Sequence, residues 1–226
     1  KADEKPPFMT WQEIERRVQG GGLSAKQRAE LWDALFLTLL EIEELLAHVR
    51  ASARQPWIYP MFVFAAHTGA RRSEMIRAQA ADVDFEAGTV LIREKKRARG
   101  KRTTRRVPLS SRLADVLREW LQGHPGGPTL FGQAPAVIRS RMKHPAASPL
   151  TRDEAHDHFK RTLAGGKWEV LRGWHVLRHS FASNCAAKGV DQRLIDSWLG
   201  HTTEIRRRYL HLIPSDERQA LGGVFG

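Results

Sequence analysis

The stretch His175-Val176-Leu177-Arg178-His179-Ser180-Phe181-Ala182 is the most informative part of this chain. Three shorter stretches accompany it: Thr68-Gly69-Ala70-Arg71, Leu199-Gly200-His201 and the single residue Tyr209. Together they supply two arginines, two histidines and one tyrosine, in an order that no common structural motif requires. Each stretch alone is a weak signal, whereas the ordered set predicts a single site.

The composition indicates a globular protein with a polyanionic partner. The chain has 226 residues, of which 41% are hydrophobic, enough for one sizeable core or for a main domain with a small appendage. Its 37 basic and 25 acidic residues leave a net charge of +12, which favours nucleic acid or an anionic membrane surface. The membrane is less favoured, because the longest apolar stretch, Trp57 to Ala66, covers about half of a bilayer span and contains Pro60.

Cysteine usage and the first residues favour a cytoplasmic, nucleoid-associated protein. Cys185 is the only cysteine, which excludes a disulfide framework and fits a reducing compartment. It lies in an apolar helical pattern, so we expect it in the core. The chain opens Lys-Ala-Asp-Glu-Lys, without a signal peptide.

Local patterns predict a mainly α fold with a small antiparallel β-hairpin or sheet. Residues 1–9 are interpreted as a linker, and the capping-box spacing of Thr10-Trp11-Gln12-Glu13 predicts a helix that ends before Gly20. Thr89-Val90-Leu91-Ile92 and Arg105 to Leu109 predict the two strands of a hairpin. Further helices are expected at about 24–54, 57–67, 111–122, 151–164, 174–188, 191–199 and 203–211, and one long loop at 123–149.

The selected residue types suit phosphodiester transfer. That reaction concentrates negative charge on the non-bridging oxygens, and an arginine fork binds such oxygens with two parallel charge-assisted hydrogen bonds. Arg71 and Arg178 would form this clamp, and Tyr209 would attack phosphorus to give a phosphotyrosine. A lysine on a hairpin would protonate the expelled 5′ hydroxyl. We expect neither a metal nor another cofactor, since the sequence has no His-Glu-x-x-His motif and no P-loop.

Each of these residues has a simpler explanation when it is taken alone. An arginine near a helix start, such as Arg71, is usually a surface charge, and His175 and His201 alone would more often be helix-end histidines. Tyr209 alone would more often be a half-buried aromatic. It follows the arginines at 206–208, a setting that suits a phosphate or, alternatively, a basic helix face against solvent.

The same residues resemble the motifs of tyrosine recombinases, the phage-integrase type of DNA strand-exchange enzyme. Thr68-Gly69-Ala70-Arg71-Arg72-Ser73-Glu74 is similar to the first box of the family, and His175 to Ala182 is similar to the second. Leu199-Gly200-His201 with Tyr209-Leu210-His211 resembles the last part. Arg106-Val107-Pro108-Leu109 ends a hairpin similar to the lysine-bearing hairpin of the family. The resemblance covers residues 10–213, which we interpret as the catalytic domain.

The resemblance implies a role for each matched residue. Glu74 supports the site, and the residues that bind, activate and attack the scissile phosphate are Arg71, His175, Arg178, His201 and the nucleophile Tyr209. The lysine is placed by strand alternation from Val90 and Ile92, which favours Lys96. Lys95 is the alternative, because nine of the fourteen residues from Arg93 to Arg106 are basic. The residues expected to contact DNA are Arg72, Lys95, Arg97, Lys101 and Arg102.

The implied function is site-specific recombination of double-stranded DNA by a homotetramer on paired sites, with no membrane partner. One strand would be cut through a 3′-phosphotyrosine and rejoined to a different 5′ hydroxyl without ATP or metal. The enzymatic alternative is a nicking-closing activity like that of type IB topoisomerases. The non-enzymatic alternative is a basic DNA-binding module whose site has decayed, because Tyr209 lies eight residues after His201, one fewer than is usual in the family.

The ends of the chain complete the expected organisation. The N-terminal helical domain of the family has no counterpart in these residues, so we expect a catalytic fragment. Pro214 would stop the preceding helix, and residues 214–226 would form a C-terminal tail that docks in cis or in trans.

Overall fold

In the computed structural model of the protein, the described residues are 6–94, 103–133, 148–200 and 207–213. Within these ranges the helices are α1 (Trp11–Gln19), α2 (Ala25–Asp33), α3 (Leu39–Ser52), α4 (Ile58–Thr68), α5 (Arg72–Met75), α6 (Ser111–Gln122), α7 (Arg152–Leu163), α8 (His175–Ala187) and α9 (Gln192–Leu199). The strands are β1 (Val83–Asp84), β2 (Thr89–Arg93), β3 (Thr104–Pro108), β4 (Gly132–Gln133) and β5 (Ser148–Pro149). The predicted mainly α fold with a small antiparallel sheet is confirmed.

Helix α4 lies at the centre of the core. It is apolar on nearly every side, which is the pattern of a fully buried helix, and it contacts α3, α6 and α8. Phe62 on this helix stacks on Phe159 of α7 and tilts against Trp174 just before α8. The segment that begins at Gly69 therefore follows a helix whose position is fixed by packing on several sides. None of the described helices is both long enough and apolar enough to cross a bilayer.

The helix predicted over 24–54 is wrong as one element, because the chain breaks between α2 and α3. Thr38 forms a capping box with Glu41 and starts α3 anew. The break is also bound to α8: the Leu37 amide donates to Ser180 Oγ at 2.8 Å, and Asn184 Nδ2 donates to the Leu37 carbonyl at 2.8 Å. These tertiary hydrogen bonds replace the ones that a continuous helix would have made internally.

The sheet has the strand order β1-β2-β3 and is antiparallel. The predicted hairpin is confirmed, with Val90 opposite Val107 and Ile92 opposite Arg105. Strand β1 was not predicted, and the segment predicted as one long loop, 123–149, contains the short antiparallel pair β4–β5. The buried side chains of Val90, Ile92 and Val107 face the core, so the hairpin is anchored at its base.

The helix predicted over 203–211 is also wrong in its described part. Residues 207–209 form a turn, and a single 3-10 turn covers Leu210–Leu212. The carbonyl oxygen of Arg208 accepts a hydrogen bond from the Phe8 amide at 2.9 Å, while the Leu212 amide donates to Tyr209 instead. Because residues near the N-terminus take the carbonyl that an α-helix would use, the helical ladder does not form there.

We expect Gly69→Ala to destabilise the protein more than Gly88→Ala does. Both glycines have a positive φ, +60° and +62°, which costs an L-residue about 1–2 kcal/mol. Of these two positions, only at Gly69 would the added Cβ meet close neighbours, the Leu199 side chain and Phe181 Cδ1 at 3.0 Å. This overpacking adds about 1–3 kcal/mol. Urea unfolding of the two variants measures the difference, and equal losses would contradict the close approach of α4 and α9.

Candidate active site

Arg71 lies where the chain leaves the central helix and begins α5. Gly69 caps α4 in the left-handed conformation, and Arg71 occupies the N-cap of α5. Glu74, three residues later, accepts from the Arg71 amide at 2.8 Å and from Arg71 Nη1 at 2.9 Å. The carboxylate is almost fully buried, whereas the Arg71 side chain is 34% exposed. Glu74 therefore fixes one edge of the Arg71 side chain while part of it stays accessible.

Arg178 joins two of the sequence motifs. It lies one turn into α8, only 4% exposed, and donates from Nη1 to the Gly69 carbonyl at 2.7 Å and from Nη2 to the Leu199 carbonyl at 2.6 Å. Both carbonyls stand at the C-terminal ends of helices, where backbone oxygens lack partners and the helix dipole favours a cation. One guanidinium thus holds the ends of α4 and α9 together.

The arginine pair forms a positive site that burial makes receptive to an anion. Burial, followed by the charge of Arg71, lowers the pKa of Arg178 to about 9, so the side chain stays protonated at neutral pH. His175 is exposed as a residue, yet burial of its imidazole, followed by the charges of Arg178 and Arg71, lowers its pKa. This histidine is therefore neutral at neutral pH. An anion bound between these groups would relieve the part of the lowering of both pKa values that comes from charge repulsion.

Arg105 completes this cluster from the side of the hairpin, and sequence reasoning missed it. Its side chain is 7% exposed, and Nη2 and Nη1 donate to the two oxygens of Glu74 at 2.7 and 3.1 Å. Nη1 also donates to Glu94 at 3.1 Å, and Nε donates to the Trp198 carbonyl. Strand alternation could have found it, because Arg105 shares a face of β3 with the buried Val107.

Glu74 is strongly acidic because of these arginines. Burial raises its pKa, but hydrogen bonds and charge from Arg105, and then from Arg71, outweigh burial and lower the pKa to about 2. Arg72, expected to contact DNA, is partly buried on α5 beside this pair. The structure therefore brings together four of the predicted residues: Arg71, Glu74, His175 and Arg178.

Tyr209 is held elsewhere, in the core. It is fully buried, and its hydroxyl accepts from Gln192 Nε2 at 3.0 Å and donates to Asp196 Oδ1 at 3.5 Å, both on α9. The arginines that precede Tyr209 in the sequence suggested a phenol at the surface. The ring is nevertheless buried, because its packing in the core outweighs the preference of these arginines for solvent. Nothing in the sequence distinguishes this buried placement from an exposed one.

The segment before Tyr209 is tied to the N-terminal residues. Besides the bond from the Phe8 amide, Arg208 Nε donates to the Pro6 carbonyl at 3.0 Å, and its guanidinium lies 4.0 Å from the ring centre of Phe8. The Phe8 ring in turn lies 4.3 Å from that of His179, the residue after Arg178. We name residues 6–8 the N-terminal strap.

The remaining predicted site residues lie outside the described residues: Lys95, Lys96, Arg97, Lys101, Arg102 and His201. The positions that flank the hairpin tip are described. The Glu94 amide donates to the Thr103 carbonyl at 3.0 Å, and the Thr103 hydroxyl donates to the Glu94 carboxylate. The two residues that flank the segment with the predicted lysine, Glu94 and Thr103, are therefore paired with each other beside Arg105.

The chain matches one family model and several known proteins. A model of the phage integrase family matches residues 36–215. The chain is 30% identical over 177 residues to the type 1 fimbriae regulatory protein FimB of Escherichia coli K12, covering 78% of this chain and 83% of FimB. It is 28% identical over 191 residues to the tyrosine recombinase XerA of Thermococcus kodakarensis, covering 82% of this chain and 62% of that relative.

Solved structures confirm the fold. The catalytic domain of bacteriophage HP1 integrase matches with a TM-score of 0.56 at 25% identity, over 83% of this chain and 93% of that one. The XerH site-specific recombinase, solved in a pre-cleavage complex with its difH substrate, matches with a TM-score of 0.57 at 20% identity. That match covers 92% of this chain and 67% of XerH. The fold is that of a tyrosine recombinase catalytic domain.

We expect Glu74→Gln to destabilise the protein by about 3–5 kcal/mol, because it leaves two arginines without their buried partner. The folded-state pKa of about 2 lies below the ordinary value of about 4.3. The stabilisation is therefore complete above about pH 4.3 and is lost as the pH falls toward 2. Urea unfolding between pH 3 and 7 should show the two proteins converging at low pH, unlike the exposed control Glu86→Gln. A difference that stays constant over this range would contradict the ion pair.

Tyr209 should react slowly with tetranitromethane while the N-terminal strap is intact. In a Tyr59→Phe background it is the only tyrosine, so nitration reports its exposure alone. Adding Phe8→Ala should speed nitration on the order of tenfold or more, since opening the segment then costs less free energy. The matched control is Phe131→Ala, a truncation of an equally buried ring that packs on Phe64. Equal acceleration in both variants would mean that global stability, and not the strap, protects Tyr209.

Proposed function

Since the chain belongs to the phage integrase family, we propose that it is the catalytic domain of a site-specific recombinase that cleaves and rejoins double-stranded DNA. The observation that carries this proposal is the buried Arg178 beside Arg71, a positive site with one accessible guanidinium. Such a site suits the doubly charged non-bridging oxygens of the transition state, for which preorganised donors are worth most in a water-poor environment. XerA and XerH carry recombinase names, and XerH was solved on DNA.

In this proposal the two arginines bind the scissile phosphate, and the histidines assist. His175 is neutral at neutral pH, so it can donate one hydrogen bond to the phosphate or accept a proton from the nucleophile. His201 would bind the phosphate from the turn that follows α9. Glu74 would keep Arg71 oriented without itself taking a proton.

Tyr209 would supply the covalent step. Its phenol oxygen bonds to phosphorus as the bond to the 5′ oxygen breaks, and the departing oxygen takes a proton from Lys96, or alternatively from Lys95. Attack by a 5′ hydroxyl of another strand reverses the step and rejoins the DNA. The Tyr209 hydroxyl is hydrogen-bonded to Gln192 and Asp196, so the side chain must first break these contacts with α9. The arrangement described above is then the one that precedes cleavage.

DNA binding would use the basic hairpin and α5, through Arg72, Lys95, Arg97, Lys101 and Arg102. The excess of basic residues supports a long phosphate footprint. We propose a homotetramer on paired sites, with two domains on each of the two sites. Residues 10–213 would form the catalytic domain, and residues 214–226 a tail that docks on its own or on a neighbouring domain.

The buried Tyr209 also supports a second candidate, a DNA-binding module of the same fold that does not cleave. The two candidates differ in one product, the covalent adduct. A nicking-closing enzyme would form the adduct too, but it would relax supercoiled plasmid without pairing two sites.

The decisive experiment incubates the protein with a pool of nicked suicide duplexes of randomised sequence and captures DNA that stays attached after denaturation. Wild type should form an adduct, and Tyr209→Phe should form none while still binding DNA. Arg178→Lys should lose cleavage on the order of 10²–10³-fold, because an ammonium cannot provide the bidentate fork. Arg193→Lys, at an exposed position of α9, is the matched control. Binding without any adduct from the wild-type protein would favour the non-cleaving module.

A further inference from the structure

Arg105 has the contacts of an internal connector. All three nitrogens of its side chain donate to protein acceptors, which are the carboxylates of Glu74 and Glu94 and the carbonyl of Trp198. Its side chain is 7% exposed, against 34% for Arg71. Two of these acceptors are carboxylates, which a phosphate would have to displace, whereas the acceptors of Arg178 are neutral carbonyls. Whatever it does for the reaction, it does through the groups that it holds.

Its first effect is on Arg71, because the two arginines share Glu74. Each oxygen of this carboxylate accepts one bond from Arg71 and one from Arg105. Without Arg105, both oxygens would be available to Arg71 alone. The guanidinium of Arg71 would then turn further into the carboxylate and lose the accessible edge that an anion needs.

Its second effect is on the charge of the cluster. Three guanidinium groups, those of Arg71, Arg105 and Arg178, interact with two carboxylates, those of Glu74 and Glu94. The cluster therefore keeps one net positive charge for an anion. Removing Arg105 brings this charge to zero while leaving both phosphate-binding arginines in place.

Its third effect is on the end of α9. Trp198 precedes Leu199, whose carbonyl holds Arg178. Gly200 follows in the left-handed conformation, so close to the hairpin that an added Cβ would lie 2.5 Å from Glu94 Oε1. The Arg105–Glu94 pair is thus packed against the turn that leads to His201. The base of the hairpin, α5 and the end of α9 meet at this one side chain.

We infer that Arg105 is a positioning residue of the phosphate site, which holds Glu74 and the end of α9 so that Arg71 and Arg178 stay oriented and charged for an incoming phosphate. This inference rests on the proposed function, since it concerns the same site. It adds a residue that touches no DNA and connects the lysine-bearing hairpin to both arginines.

The test compares Arg105→Met with Arg106→Met, the same change on the next residue of β3. Arg106 is exposed and donates only to the Thr89 hydroxyl among its described contacts, so its replacement should keep the wild-type pH dependence. Arg105→Met should reduce single-turnover cleavage of a captured suicide duplex on the order of 10²-fold. DNA affinity should change by less than about threefold, because Arg105 contacts no phosphate.

The pH profile distinguishes this role from a general loss of packing. Glu74 faces Arg71 on α5, Arg105 on β3, Glu94 after β2, and His175 and Arg178 on α8. Burial alone raises the pKa of this carboxyl, so losing Arg105 should move the acidic limb of cleavage upward by more than about one pH unit. A merely structural role predicts a lower rate with an unmoved limb.

Charge rescue supplies the sharpest outcome. Adding Glu94→Gln to Arg105→Met restores one net positive charge and should recover cleavage about tenfold over the single variant, whereas a packing defect would be worsened by a second change. Because Arg105→Met leaves Glu74 short of a partner, circular dichroism must show that it is folded. If it is not, Arg105→Lys serves instead: it keeps the charge but loses the fork, and its limb should move in the same direction by a smaller amount.

The outcomes separate the two levels of the proposal. Absence of an adduct from the wild-type protein sinks the proposed function. An adduct from the wild type together with an unmoved pH limb in folded Arg105 variants, or no rescue by Glu94→Gln, overturns only the role of Arg105.

Discussion

The rest of the site depends on the hydrogen bonds from Arg178 to the carbonyl oxygens of Gly69 and Leu199. A buried cation is costly unless its donors are satisfied, and here the ends of two helices supply oxygens that have no partners within their own helices. The left-handed glycines at these ends allow α4 to approach α8 and α9 closely, and the end of α9 to approach the hairpin. Motifs far apart in the sequence therefore share one cation, which explains why they occur together.

The balance between the arginines and the carboxylates then determines how strongly the cluster attracts an anion. The two carboxylates of the cluster hold the arginines in place but do not neutralise them. Burial lowers the pKa values of Arg178 and His175, and the excess of positive charge lowers them further. Such an excess costs stability in the free protein and is recovered when an anion binds. The same balance explains the role of the buried glutamate. Without Glu74, nothing would fix the side chain of Arg71. Without Arg105 as a second partner, the charge of Glu74 would neutralise that of Arg71.

Much of the fold and part of the site could be predicted from sequence. The capping boxes, the apolar α4 and the hairpin are local patterns, and the motif residues Arg71, Glu74, His175 and Arg178 converge as expected. The features that could not be predicted depend on tertiary contacts. The break before Thr38 depends on Ser180 and Asn184, the missing helix near Tyr209 depends on Phe8, and Arg105 looked like one more surface charge in a basic strand. In each case a distant partner outweighs the local propensity.

The placement of Tyr209 adds a constraint that the arginine cluster does not have. The cluster is preorganised, because each of its groups is held by buried partners, whereas the phenol rests on α9 and its segment is fastened by the N-terminal strap. If Tyr209 is the nucleophile, as proposed, cleavage requires a movement that costs the buried contacts of one aromatic ring, on the order of a few kcal/mol. The strap reaches His179, next to Arg178, so the residues that hold the segment of Tyr209 also touch the helix that carries the buried arginine. In the proposed function, binding of a phosphate at that helix would therefore be physically connected to release of Tyr209.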